Sequence, residues 1–431
     1  MKKYFLIALF AALMASFTAC SENDGGSNYV NANGVVDAKY AKNLSIKEIA
    51  LTTSPDIEEE NLQAWAEGEQ DFSLAMLNAS IEKEEKNLVI SPYGMHVALS
   101  MVQAGAGDEV FEEMSDVLKN QAGSREDTAK RNGEVYQYLR VLGGEGKVAL
   151  KLANRVWSDY ELELLPAYAK LLEDDFVAPI AQVKFKEHQK EIIEIINAWA
   201  SENTNGLIKD IASEDNITAD SILALASAVY FKGDWSAEFD KQHTSKADFT
   251  TIKGDKVQVD MMSQQAHMPV YEDEDYVAVE KNYVDEKFSM IMVMPKDAAK
   301  FADFRKDYEG EDFREMLNKM ESKTLSFSMP KFKIDSELSE KVLKEMGLEK
   351  VFKNGLTKIA MPAAGELRID SVAQNATIDV NEVGTEAAAA TLVVVAPNSA
   401  PVVTVRLDKP FMYFIVAKES KAILFAGQKV L

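Results

Sequence analysis

The sequence predicts a single large domain of mixed α+β class. Three observations carry that expectation. Helical periodicity runs through the first half of the chain, strand patterning runs through the second, and no strand–helix–strand rhythm joins them. Of the 431 residues, 47% are hydrophobic, ample for a large core. No internal repeat and no linker is visible after residue 61, so the domain is expected to span 61–431.

The first twenty residues stand apart from that domain. Lys2 and Lys3 precede an apolar run from Tyr4 to Phe17, too short to span a bilayer, and Thr18, Ala19 and Cys20 follow. This reads as a secretory signal over 1–20. Cys20 is the lone cysteine and directly follows "FTA". That context resembles a bacterial lipoprotein box, and the resemblance implies lipidation of Cys20 and a membrane attachment through that lipid. Phe17 stands where leucine is usual in such boxes. The next stretch, "SENDGG", resembles the acidic tag of surface lipoproteins in Bacteroides-like bacteria. It implies export across the inner membrane and a cell-surface position on the outer membrane. The exported body has no cysteine and therefore no disulfide of its own. Residues 21–60 are rich in Asn, Gly, Ser and acidic side chains, with one short helical possibility from Leu44 to Leu51. They are expected to form a flexible tether.

Inside the domain, Phe72, Ala75, Met76 and Ala79 fall on one helical face. In "SPYGMHVALSMVQAGAG", Ser91 is placed as N-cap, Pro92 as first helical residue, and Gly105 and Gly107 as the stop. The middle of that stretch is apolar nearly all round, which predicts a helix buried under other layers. Ile192, Ile195, Ile196 and Trp199 mark another helix. "LALASAVYF" (Leu223 to Phe231) and "FSMIMVM" from Phe288 read as buried strands. In "TLSFSMPKFKI", Leu325, Phe327 and Met329 alternate as in a half-buried strand. "VVTVRL", "FMYFIV" and "AILFA" supply the late strands.

Several kinds of chemistry are excluded. The formal charge of −23 and a pI near 4.7 argue against nucleic acid, which demands a basic footprint. The histidines, His96, His188, His243 and His267, make no HExxH pattern, and with no body cysteine neither a metal site nor a cofactor is expected. There is no GxSxG. "GGEGKV" at Gly143 lacks P-loop spacing and reads as a hairpin turn. "AGAGDEV" follows a helix, not a strand, and so fails the dinucleotide-binding context. The acidic run Glu272 to Asp275 reads as a solvated loop. No catalytic constellation supports an enzyme.

The most unusual stretch is "TEAAAATLVVVAPNSAP", from Thr385 to Pro401. Read as a strand over Thr385 to Ala396, one face carries Thr385, Ala387, Ala389, Thr391, Val393 and Val395. That face is small and nearly apolar and could enter the middle of a sheet without clashes. The other face places its single charge, Glu386, outward. No proline or glycine interrupts the run, so every N–H is free to pair. The "APNSAP" after it suits an exposed loop that a protease could hold extended. Left outside a sheet, "AAAATLVVV" would be an aggregation hazard. A stored conformational change supplies a reason to keep it there.

Here the sequence resembles the serpin family. "NEVGTEAAAAT" matches that family's reactive-loop hinge, with Glu382, Gly384, Thr385, Glu386 and the four residues Ala387, Ala388, Ala389 and Ala390. "NLVISPYGMHVALSMVQAGAG", "INAWASENTNGLIKDI", "ASAVYFKGDWSAEFD", "MPKFKIDSELSEKVLKEMGLEKVF" and "LDKPFMYFIVAKESKAILFAGQKV" match further family segments in the family's order. The resemblance covers roughly 61–431. It implies three β-sheets, eight or nine helices, and a reactive-centre loop at about 382–402. It also implies suicide inhibition of a serine or cysteine protease by a monomer: the cut loop enters the central sheet as a new strand and traps the acyl-enzyme. A strand of about 12 to 16 residues spans some 40 to 55 Å, enough to cross a large sheet.

The resemblance also assigns site residues. Trp235 takes the place of the breach tryptophan. Of the polar residues that hold the family's central sheet shut, Ser91 matches. Gly94 replaces a second serine, Ser227 replaces an asparagine and Gln374 replaces a histidine, so the lock must differ. A Ser227–Gln374 pair is the expected substitute. Family spacing counted from the hinge puts the scissile bond at Asn398–Ser399, and spacing counted back from Pro410 puts it at Ser399–Ala400. Val395 and Ala396 suit an elastase-like protease, which could cut at Ala396. Asn398 suits an asparagine-directed cysteine protease. The loop has no basic residue, which disfavours a trypsin-like target. The alternative function is a non-inhibitory member acting as a binding or scaffold protein. Such members tend to carry charge, proline or bulk where this chain has alanine.

Overall fold

The computed structural model describes residues 29–81, 85–144, 147–338, 340–361, 367–385 and 402–431. Among the described residues there are nine α-helices. They are α1 (Glu59–Ala79), α2 (Pro92–Gln103), α3 (Asp108–Leu118), α4 (Arg125–Gly143), α5 (Pro166–Asp174), α6 (Phe185–Asn203), α7 (Phe301–Asp307), α8 (Gly310–Lys319) and α9 (Glu340–Glu345). The first strands are β1 (Leu88–Ile90), β2 (Val148–Asp159), β3 (Ala181–Val183) and β4 (Leu223–Asp234). Next come β5 (Ser245–Thr250), β6 (Lys256–Glu272), β7 (Tyr276–Asn282), β8 (Phe288–Pro295), β9 (Glu321–Pro330) and β10 (Phe332–Leu338). The last are β11 (Ser371–Val380), β12 (Gly384–Thr385), β13 (Val403–Arg406), β14 (Phe411–Ala417) and β15 (Ile423–Lys429).

Local chemistry accounts for the helix ends. The Ser91 hydroxyl accepts from the Gly94 N–H, and Pro92 opens α2 where its missing N–H costs nothing. All twelve residues of α2 are buried, as its all-round apolarity predicts. Ser124 and Asp127 form a reciprocal capping box on α4. In α6, Ile192, Ile195, Ile196 and Trp199 form the buried face.

The strands form a six-stranded sheet, ordered β10-β11-β12-β4-β2-β3, and a nine-stranded one, ordered β1-β15-β14-β8-β7-β6-β9-β13 with β5 beside β6. Three sheets are expected from the family resemblance. Here β6 runs on for 17 residues, pairing with β5 over Lys256–Met261, with β9 over Met261–Val270 and with β7 over Val270–Glu272, so two layers are hydrogen-bonded into one. The larger core lies between the two sheets around α2. A second core lies on the opposite face of the six-stranded sheet, where Trp157 of β2 and Ala224, Ala226 and Ala228 of β4 meet α6.

Three expectations from the sequence need correction. Residues 21–60 are not all tether. From Tyr29 onward the chain is folded against the domain, and Val36, Tyr40, Ala41, Leu44 and Ile46 are buried in the second core. Their apolar side chains are spaced too irregularly to show a period, and the polar composition around them masks them. Leu44–Leu51 is not helical. It carries an isolated bridge from Ser45 to Val35 and side-chain contacts to β2 and α6. Finally, "GGEGKV" falls between the end of α4 at Gly143 and the start of β2 at Val148, so it does not link two strands as a hairpin would; Glu145 and Gly146 lie outside the described residues.

Candidate functional site

The site lies where β11 ends and the chain turns back into the sheet. After Val380, a tight turn is closed by the Asn381 N–H donating to the Gly384 carbonyl at 2.9 Å and the Val383 N–H donating to Asn381 Oδ1 at 3.0 Å. The next two residues form β12, wedged antiparallel between β11 and β4: Thr385 stands opposite Val380 and Gly233, and Gly384 opposite Asp234. Only glycine fits at 384, because a Cβ there would lie 2.0 Å from the Gly233 carbonyl oxygen. The latent strand is therefore not wholly outside the sheet, contrary to the expectation from the sequence. Its first residue, Thr385, is buried, and its hydroxyl shares a 2.8 Å hydrogen bond with the Tyr283 hydroxyl.

Below this hinge lies a packed support. The Trp235 ring stacks on Tyr283 at 4.6 Å, its Nε1–H donates to the Asn381 carbonyl at 3.0 Å and its backbone N–H to the Val383 carbonyl at 2.8 Å. Trp235 thus packs directly against the turn that leads into β12. Glu382 accepts from Lys331 Nζ at 2.9 Å and from the Thr244 hydroxyl at 2.9 Å. Burial pushes the Glu382 carboxyl up, but Lys331, a backbone N–H and Thr244 together outweigh it and hold its pKa below the usual glutamate range. Lys281 is buried beneath the Trp235–Phe239 turn that follows β4. Its ammonium donates to the Ala237 carbonyl at 2.7 Å and lies 4.6 Å from the Phe239 ring and 5.1 Å from that of Trp235. Burial lowers its pKa to about 7. Sequence reasoning misses Lys331, Thr244, Tyr283 and Lys281. They lie in ordinary strands and loops, and only the tertiary fold gathers them.

Away from the hinge the sheet has a seam. Parallel β4 and β11 pair from Ser371↔Ala224 to Asn375↔Ala228. Beyond that, up to β12, no described strand lies between them. A cavity of about 210 Å³ opens there, lined by Val229, Phe231, Thr377 and Asp379 together with Leu207 and Ile208 of the connection after α6.

The polar lock holds the paired part of the seam. Ser227 and Gln374 stand opposite one another, as expected from their positions, yet they do not bond. Gln374 instead clasps the backbone of Ser91: its Oε1 accepts from the Ser91 N–H at 3.1 Å and its Nε2 donates to the Ser91 carbonyl at 2.8 Å. The Ser91 hydroxyl donates to the Leu424 carbonyl at 2.7 Å. The Ser227 hydroxyl is buried without a partner. Gly94 completes the lock by being small, since a Cβ there would lie 2.4 Å from Val229 Cγ2 and 2.7 Å from Ser227 Oγ. Glu386, Ala387 to Ala390, Ala396, Asn398, Ser399, Ala400 and Cys20 lie outside the described residues.

Comparison with known proteins decides what this arrangement belongs to. The family described as "Serpin (serine protease inhibitor)" matches residues 67–430. The chain belongs to the serpin family. It is 33% identical to Serpin-Z10 of Arabidopsis thaliana over 356 residues, covering 79% of this chain and 91% of that one. Iripin-2 of Ixodes ricinus is 29% identical, covering 83% and 91%. Among solved structures, the thermophilic serpin Tengpin in the native state superposes with a TM-score of 0.78 at 26% identity, covering 91% of this serpin and 99% of that chain. Serpin48 of the insect Tenebrio molitor superposes at 0.74, also at 26% identity, with 88% and 100% covered. In this serpin the two-residue β12 is the described strand that joins β4 to the end of β11, at one end of the seam between them.

Proposed function

We propose that this serpin is a suicide-substrate inhibitor of extracellular proteases. For a target of elastase-like preference the cut falls at Ala396; at the bond that family spacing favours, a serine protease attacks the carbonyl of Asn398. An ester to its serine forms, the bond to Ser399 breaks, and the new amine leaves with the proton. Cleavage at Ala396, or after Ser399 beside Ala400, serves equally, and a cysteine protease would form a thioester. The freed segment then continues β12 down the seam and traps the acyl-enzyme before water can release it. The lipid on Cys20 holds the monomeric inhibitor at the outer-membrane surface.

The register of β12 is the observation that carries this reading. Each further loop residue steps one residue back along both flanking strands from the Thr385 rung. Ala387 then arrives between Ile378 and Phe231, and Ala389 between Ala376 and Val229. All four of these strand residues are buried, so only small side chains can enter. Thr391 arrives between Gln374 and Ser227 and brings a hydroxyl to the one that has no partner in the closed sheet.

Incubation with a panel of serine and cysteine proteases, read by denaturing gel and intact mass, tests the reading. A covalent complex is expected, and its mass locates the bond. Thr385→Arg places a charge where a 2% exposed hydroxyl now sits. That variant should still be cut but form no complex. An unchanged complex yield would contradict insertion. A wild-type chain that is cut by every protease and traps none would return the non-inhibitory binding role.

A further inference from the structure

Residues 29–48 have no regular structure, yet they grip several elements. At the edge of the six-stranded sheet, Ala41 forms an antiparallel bridge with Val183 of β3. The Lys42 N–H donates to the Gln182 carbonyl at 3.0 Å and the Lys184 N–H to that of Tyr40 at 2.9 Å. Further on, Glu48 acts as a clamp. Its Oε1 accepts from Arg155 of β2 at 2.8 Å and from Trp199 Nε1 of α6 at 2.7 Å. Asn203, the last residue of α6, donates to the Ile46 carbonyl at 2.8 Å, and Arg155 donates to the Ser45 carbonyl at 2.6 Å. Arg155 is only 2% exposed, so its charge relies on Glu48 for compensation.

The grip matters because of the chain beyond α6. The connection from α6 to β4 crosses the seam: Leu207 and Ile208 line the cavity there, and Asn375 of β11 donates to the Asp210 carbonyl at 2.9 Å. A strand entering between β4 and β11 has to displace that connection, and the end of α6 to which it is joined. We propose that residues 29–48 are a strap whose Glu48 clamp holds the end of α6 and its connection closed over the seam. The strap thereby sets the barrier to premature loop insertion in the uncut protein. This rests on the insertion mechanism proposed above.

The test uses the full chain, warmed without protease. At intervals, remaining inhibitory capacity is titrated with an elastase-type serine protease, and conversion to an uncut form of higher melting temperature is followed on native gels. Glu48→Ala removes the counter-charge of Arg155 and the acceptor of Trp199. It should speed conversion about tenfold or more, and Glu48→Gln, which keeps the acceptor, should fall between. A folded Glu48→Ala protein converting at the wild-type rate overturns the proposal. A second variant holds if Glu48→Ala fails to fold. Ala41→Cys with Val183→Cys, in a Cys20→Ser background, staples the strap to β3 across a bridged pair of suitable spacing. The oxidised staple should convert more slowly than the same protein reduced, and equal rates overturn the strap. If wild type itself traps no protease and gains no melting temperature on cleavage, the failure lies with insertion and is distinguishable from failure of the strap.

Discussion

Ser227 and Gln374 show how much a single position can mislead. The sequence marks both as lock residues, but Gln374 bonds to the backbone of Ser91 and leaves the Ser227 hydroxyl without a partner. An amide on a longer stem has two polar ends to satisfy, and the Ser91 backbone offers a donor and an acceptor at once. The Ser227 hydroxyl is left buried and unpaired, which costs about 1–3 kcal/mol. Ser227→Ala is therefore expected to leave the uncut protein as stable as wild type, or to stabilise it by up to about 2 kcal/mol. Gln374→Ala strands the buried Ser91 N–H, while the Ser91 carbonyl keeps the Met95 N–H, and should destabilise the protein by about 1–3 kcal/mol. Urea unfolding of the uncut proteins checks both, and a loss of stability in Ser227→Ala comparable to that of Gln374→Ala would refute this description of the lock.

Among the elements, the turn after β4 is the least ordinary, because it rests on a buried cation. Lys281 belongs to β7 and holds the Trp235–Phe239 turn from beneath through the Ala237 carbonyl and two aromatic rings. Its pKa falls to about 7 on folding from 10.5, so between those values the unfolded chain binds more protons than the folded one. The penalty is complete below pH 7 and is relieved as pH rises toward 10.5. Lys281→Met should raise the thermal transition at pH 7, and the difference from wild type should shrink as pH rises. A difference that does not change with pH would rule out the titration of Lys281 as its source. This lysine's burial is not legible in the sequence, since its strand neighbours are mixed in character. Helices α2 and α6 are legible because their apolar residues recur at helical spacing, which local pattern alone reveals. The 29–48 strap is not, because its buried residues recur at no period and pair with strands more than a hundred residues away.

At the scale of the whole molecule, the domain's class, its order of helices and strands and its family are readable from residues 61–431. They rest on periodicities and on long matching segments. The joining of layers through β6, the early insertion of Thr385 and the second core are not, because each depends on pairing between distant parts of the chain. Docking of residues 29–48 also alters the proposed anchored form. The spacer behind Cys20 shrinks to residues 21–28, with a reach of at most about 28 Å, against about 140 Å for a tether running to residue 60. The central claim is that the segment after Thr385 is a strand of the six-stranded sheet that waits for cleavage. Hydrogen exchange with mass spectrometry, on the uncut and the loop-cleaved protein, reads this directly. The account predicts that amides from Glu386 to Val394 exchange freely before cleavage and afterwards become as protected as those of β4. Free exchange of that segment after cleavage, with β4 and β11 unchanged, would contradict it.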